Sequence, residues 1–286
     1  MMQLFLGIDG GGTGCRAALA DADSQILARA EAGPANIASD PDAAMQNILA
    51  VTHDALKQAV GSGAATAELP RLRVVMGLAG ANVAASVARV RAGLPFTSLR
   101  VETDAMTALK GALHDGDGIV AAVGTGSVFA RQLGGVVHRI GGRGWVLGDE
   151  GSGAWLGRAL LAASLRAGDG LAELTPLLRS VRDELGGDEG IIAFGFTARA
   201  ADFASFARRI VTSDDPTALA LMMQAEADIG AYIALLQPKP AVAVVFLGGI
   251  GSAIAPRFAH RWDVLPALGN GVDGALWLAR QVKAVA

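Results

Sequence analysis

Cysteine is all but missing from this chain: Cys15 is the only one in 286 residues. A lone thiol makes no internal disulfide and cannot by itself hold a structural zinc or an iron–sulfur cluster. Aromatic residues are 5% and charged residues 18%, against 52% apolar, a balance that excludes disorder and supplies ample material for buried sheets and helices. Positive charge is in short supply too. The net charge is −3, and the basic residues, mostly arginine, are scattered instead of striped along one face, which argues against nucleic acid as a partner. No basic region followed by a long apolar segment opens the chain, and glycine or a charge breaks each apolar stretch, so neither secretion nor membrane insertion is expected. A reducing, cytoplasmic compartment is the default expectation. Low-complexity tracts and short-period repeats are missing as well.

Glycine, by contrast, is abundant, with 38 residues. At this length two domains are expected. Leu4 to Ala32 reads as three strands joined by hairpins, with the glycine turn of "GIDGGGTG" between the first two. Asp40-Pro41 marks a helix over about 42–60. A buried strand at 72–80, a helix near 83–92, a strand at 98–103 and a helix opening at Asp104 follow. "GIVAAVGTGSVFARQLGG" (118–135) then repeats the opening unit, with a third strand at 136–140, a faint internal duplication. After 151 the pattern is largely helical until the strand "AVAVVFLGG" (241–249), with a short helix and a final amphipathic helix from about 271. "LGGDEG" (185–190) is expected to be a flexible surface connection.

Three apolar runs end in glycine loops: Gly10–Gly12 with Thr13, Gly124-Thr125-Gly126-Ser127, and Gly248-Gly249-Ile250-Gly251-Ser252. Lacking Cβ, glycine lets backbone N–H groups approach an anion closely. One such loop is more often a tight turn; three in one chain, with hydroxyl side chains among them, point to phosphate. The P-loop signature G-x-x-x-x-G-K-[ST] does not occur. Gly12-Thr13-Gly14-Cys15-Arg16-Ala17 fits the relaxed dinucleotide pattern, but a strand and a hairpin follow it instead of a crossover helix.

Carboxylates accompany the loops. Asp9 ends the first apolar run, where an acid can orient Mg²⁺ through water. Asp104 stands where a strand gives way to a helix; a base near a bound hydroxyl is one reading, and a helix N-cap is the better one from spacing alone. "GWVLGDEGSGAWLG" (144–157) is either a capped helix start with tryptophan in the core or an ordered loop that holds a polar ligand.

Taken together, these residues resemble the N-acetylglucosamine kinase group within the BadF/BadG/BcrA/BcrD-type ATPases of the sugar kinase, actin and heat-shock chaperone superfamily. "GIDGGGTGCRAAL" resembles the first phosphate motif and "TDAMTAL" the connecting segment with the catalytic Asp. "VGTGSVFA" is similar to the second phosphate motif, "GRGWVLGDEGSGAWLG" to the sugar-side signature, and "VFLGGIGS" to the adenosine motif.

The resemblance implies an α/β fold of two ribonuclease-H-like, actin-like ATPase domains flanking a nucleotide and sugar cleft. The N-terminal domain would cover 1–115, joined by the last helix (about 271–286), and the second 116–270. It implies ATP-dependent phosphorylation of an amino sugar, N-acetylglucosamine at its 6-hydroxyl, with glucosamine as the alternative acceptor. Asp104 would be the base and Asp9 would place Mg²⁺; Gly11, Gly12, Thr13, Thr125 and Gly126 would hold ATP phosphates, with Gly249 near the adenosine. Asn36, Asp104, Arg143, Gly144 and Asp149 would hold the sugar. Its partners would be the amino sugar and ATP, with homodimerisation left open. Activator ATPases of 2-hydroxyacyl-CoA dehydratases share the loops but need cluster-holding cysteines; a non-catalytic nucleotide or sugar sensor is the other alternative, against which Asp104 and "GDEG" argue.

Overall fold

The first apolar run forms strand β1 (Phe5–Gly10), and the chain returns beside it as β2 (Cys15–Ala20) and β3 (Ile26–Ala32). Helix α1 (Pro41–Val60) follows; Asp40 accepts the N–H of Ala43 at 3.0 Å, and proline fills the first helical position, where no intrahelical donor is lost. Next come α2 (Ser62–Glu68), β4 (Arg73–Leu78), α3 (Ala84–Gly93), β5 (Ser98–Thr103) and α4 (Asp104–Leu113). The second half opens with β6 (Gly118–Val123), β7 (Ser127–Leu133) and β8 (Val136–Gly141). Six helices come next: α5 (Gly153–Gly168), α6 (Pro176–Leu185), α7 (Gly187–Thr197), α8 (Ala200–Ala204), α9 (Ala207–Val211) and α10 (Pro216–Leu236). β9 (Val244–Leu247), α11 (Gly248–Ile254), β10 (Val264–Leu265) and α12 (Gly271–Gln281) complete the order.

This computed structural model describes residues 3–282. The chain parts into two units, Met1–Asp115 with Ala267–Ala286, and Gly116–Pro266. Each unit is built on one five-stranded mixed sheet. The first has the order β3-β2-β1-β4-β5 and the second, read from its other end, β8-β7-β6-β9-β10. In both, an antiparallel three-strand meander is extended by two parallel strands. The internal duplication seen in the glycine turns is therefore a duplication of topology.

In the first unit α1 covers one sheet face, with Ile48, Val51 and Leu56 against Leu6, Ile8, Leu19 and Met76. α12 covers the other, setting Val272, Ala275, Leu276, Leu278 and Ala279 on Phe5, Ala18, Ala20 and Val75. Small residues permit that approach. A Cβ on Gly7 would lie 2.5 Å from the Leu276 nitrogen, and one on Gly274 only 1.9 Å from the Thr107 carbonyl oxygen of α4. The second unit buries Phe129, Leu156, Leu160, Phe206 and Ile229 beneath its helices.

Three local expectations change. Residues 185–190 are not a loose connection: Gly186, at φ 81° and ψ 34°, ends α6 in the left-handed conformation, α7 starts at once, and Arg182 pairs with Asp188 at 2.6 Å. The strand expected over 241–249 is only Val244–Leu247, because Gly248 at φ +84° turns the chain into α11. By length and composition alone, α10 is apolar enough to cross a membrane, contrary to the reading that every apolar stretch is broken too soon. It carries Glu226, paired with Arg257, and buries Met222, Ala225, Ile229 and Ile233 in the second unit. The last helix was expected to reach 286; residues 283–286 lie outside the described ones.

Candidate active site

In the first unit, β1 delivers Asp9 to the N-terminal end of α12. Its carboxyl atoms stand 2.9–3.0 Å from where a Cβ on Gly271 would be, so only glycine lets the helix end come this close. Arg16 is its cross-strand partner on β2. Burial raises the Asp9 pKa, the Arg16 charge opposes the rise, and the Asp104 charge adds to it. An open polar cavity of about 530 Å³ is lined by Arg16, Arg29, Glu31, Asp54 and Asn270, among others, and neither Asp9 nor Asp104 lines it.

The loop after β1 is closed by Gly11 N–H donating to the Gly14 carbonyl at 2.9 Å, and the Gly11 carbonyl accepts from Ala35 N–H at 2.9 Å. Gly12 and Thr13 are exposed at its tip, and a Cβ on Gly12 would meet nothing within 4 Å. The tie to Ala35 places Asn36 beside this loop. Asn36 Oδ1 accepts N–H bonds from Ala38 at 3.0 Å and Ser39 at 3.2 Å, which leaves its Nδ2 as the side-chain donor for a ligand.

Asp104 is the first residue of α4, not its cap. Thr103 is the cap: its Oγ1 accepts the Met106 N–H at 3.3 Å. The Asp104 side chain is exposed, with Oδ1 accepting only the adjacent Ala105 N–H at 2.8 Å. The capping reading thus passes to its neighbour, and Asp104 is left a solvent-facing carboxylate close enough to Asp9 for their charges to interact.

In the second unit, Thr125 is exposed and Gly126 half-buried at the tip of the β6–β7 loop, and Gly124 N–H closes the turn onto the Gly126 carbonyl at 2.9 Å. The adenosine-type loop adjoins it, since a Cβ on Gly248 would sit 2.4 Å from the Val123 carbonyl oxygen; Gly249 is exposed beyond. Arg143 and Gly144 are exposed on the stretch after β8, and Gly144 N–H donates to Asp149 Oδ1 at 3.1 Å. Asp149 itself is 8% exposed. Burial raises its pKa, while the N–H groups of Gly144, Ser127 and Arg143 oppose the rise. So each unit gathers its own expected residues, but Asp149 faces its own backbone more than solvent.

The twofold mixed-sheet topology, with a glycine loop after the first strand of each unit, is the ribonuclease-H-like arrangement, and the family model for BadF/BadG/BcrA/BcrD ATPases matches residues 6–256. This chain belongs to that ATPase family. Within reach of this BadF-type chain, a glucosamine kinase of Vibrio cholerae is 32% identical over 97% of this chain and 96% of its own. An N-acetylmuramic acid/N-acetylglucosamine kinase of Clostridium acetobutylicum is 30% identical over 64% of this chain and 60% of its own. A crystal structure from Chromobacterium violaceum, described as a candidate N-acetylglucosamine kinase, superposes with a TM-score of 0.88 at 33% identity, covering 97% of this chain and 99% of that one.

Sequence reasoning missed Gly271 and Thr103, and read Ser127 only as part of its glycine loop. Only Thr103 carried a signal, a hydroxyl residue directly before an acid at a helix start; the others act through contacts distant in sequence. Cys15 is fully buried, and burial pushes its thiol up to about 12, so it is no ligand for the cluster an activator ATPase needs.

Proposed function

We propose that this chain is an ATP-dependent kinase that phosphorylates the 6-hydroxyl of an amino sugar, N-acetylglucosamine, in the cytoplasm. The observation that carries the reading is Asp104, an exposed carboxylate released from helix capping by Thr103 and near enough to Asp9, beside a glycine loop, for the two like charges to repel. A general base must reach a substrate proton, and an exposed carboxylate at a helix start suits that task.

In this reading Asp104 takes the proton of the sugar hydroxyl as its oxygen bonds to the γ-phosphorus, while the bond from that phosphorus to the β,γ-bridging oxygen breaks and ADP leaves. The glycine loops hold the phosphates, Gly11 shaping the first through its bond to Gly14 while Gly12, Thr13, Thr125 and Gly126 face the ligand, and Gly249 lies near the adenosine. Asn36, Arg143, Gly144 and Asp149 orient the sugar. Positioning and charge neutralisation then supply most of the rate. Asp9 fits a Mg²⁺ ion: it is an oxygen donor whose buried charge a cation would relieve, and Mg²⁺ commonly takes one or two carboxylates plus substrate phosphates. When bound, Mg²⁺ would neutralise charge on the β- and γ-phosphates.

The full-length Vibrio relative favours a second acceptor, free glucosamine. The test is purified protein with Mg-ATP and a panel of hexoses and amino sugars, reading ADP release and the sugar product. Phosphorylation of neither amino sugar would overturn the proposal.

A further inference from the structure

The segment 149–154 is bonded to the second glycine loop near both of its ends. Gly153 N–H donates to the Gly124 carbonyl at 2.7 Å, and Ala154 N–H to the Thr125 carbonyl at 3.0 Å. Ser127 Oγ donates to the Glu150 carbonyl at 2.9 Å, and the Glu150 carboxylate is held in turn by the Tyr232 hydroxyl at 2.9 Å. At the centre sits Asp149. Its φ of 55° is rarely adopted by a residue with a side chain. One carboxylate oxygen accepts the Gly144 N–H at 3.1 Å, and the neighbouring backbone N–H groups of Arg143 and Ser127 oppose the rise that burial causes in its pKa. Its Oδ2 lies 2.6 Å from where a Cβ on Gly126 would be. One buried acid therefore bonds to the backbone of the 143–144 stretch and packs against the 126–127 loop. The first two N–H groups of α5 meet loop carbonyls, so this helix end supports the loop and is not open to an anion.

We propose that Asp149 is a positioning residue that joins the sugar-side stretch 143–144 to the phosphate loop 124–127, so that occupancy of either raises affinity at the other. The inference rests on the kinase reading for what each loop binds. A carboxylate accepts several N–H bonds at once, whereas an amide offers one acceptor oxygen and brings donors of its own, so Asp149→Asn loosens both loops together. Sites joined through one such element are coupled reciprocally.

The test uses the full chain and calorimetric titration of ADP and of whichever amino sugar the wild type phosphorylates, each alone and with the other present. Expected are a rise of about tenfold or more in the ADP Kd of Asp149→Asn measured without sugar, and loss of the mutual enhancement seen in the wild type, within the range of typical couplings. Gly126→Ala approaches from the other side: its methyl presses on Asp149 Oδ2, and sugar affinity measured without nucleotide should fall. It also carries the test if Asp149→Asn does not fold. A folded Asp149→Asn protein that loses sugar affinity alone, with its ADP Kd unchanged, would make Asp149 a plain sugar ligand and overturn the inference, as would Gly126→Ala with native sugar affinity. Wild-type protein that binds no ADP would overturn the kinase reading and this inference with it, a result distinguishable without any variant.

Discussion

Asp104→Asn separates chemistry from folding at α4. The exchange keeps size and an oxygen able to accept the Ala105 N–H now made at 2.8 Å, and the side chain is exposed, so no desolvation changes. The helix cap is Thr103 and remains in place. Stability should therefore move by no more than about 0.5 kcal/mol, the usual range for surface substitutions. Loss of a positioned base lowers kcat by roughly 10²–10⁴-fold, which is about 2.7–5.5 kcal/mol in the barrier. Thr103→Ala is the converse perturbation: it should cost about 1 kcal/mol of stability through the lost cap and leave the proton acceptor in place. Steady-state phosphorylation and melting curves of both variants, alongside the wild type, read the two effects independently. An Asn variant that turns over at near-wild-type rate would refute the assignment, and so would one that loses activity only in proportion to lost folding.

Asp9→Asn should raise the melting temperature at pH 7 while impairing activity. A carboxyl whose folded pKa is raised binds more protons folded than unfolded, so its ionisation lowers stability as pH rises from the ordinary value of 3.8 through the raised one; the advantage of Asn should vanish toward acid, and a lower melting temperature at pH 7 would refute the burial argument. Cys15, fully buried and protonated, should resist a thiol reagent at pH 8 in the native protein and react fully once unfolded; rapid native labelling would contradict its placement. Gly274→Val should lower the melting temperature severely, since its Cβ meets backbone atoms of α4 at 1.9 and 2.3 Å, whereas Gly12→Ala, facing open space, should leave the melting curve unchanged.

Much of the fold was legible because its signals are local. Asp40-Pro41 places the start of α1, the paired glycines 134 and 135, both at positive φ, place the β7–β8 turn, and alternating runs between glycine turns give the meanders. What escaped depends on approach between distant segments. Nothing near Gly271 in the chain says that Asp9 will lie against it, and the left-handed pair at Gly186-Gly187 looks like any flexible linker until two helices are seen to meet there. At the candidate site the residue types were readable but not their orientations. Asp104 and Asp149 looked alike as acids at helix starts, yet one faces solvent and the other is 8% exposed and bonded to backbone. A neighbouring threonine decides the first case and a turn five residues upstream the second.

The placement of α12 has a consequence for the order of assembly during synthesis. The second unit is one uninterrupted segment, Gly116–Pro266, whereas the first draws Ala267–Ala286 from the far end of the chain. Phe5, Ala18, Ala20 and Val75 have no covering layer until Val272, Leu276 and Leu278 arrive. Domains of a nascent chain ordinarily mature from the N-terminus onward. Here the order runs the other way: the sheet of the first unit must wait, one greasy face bare, while the later-made unit closes on itself, and residues translated after that unit finish the domain that was begun before it.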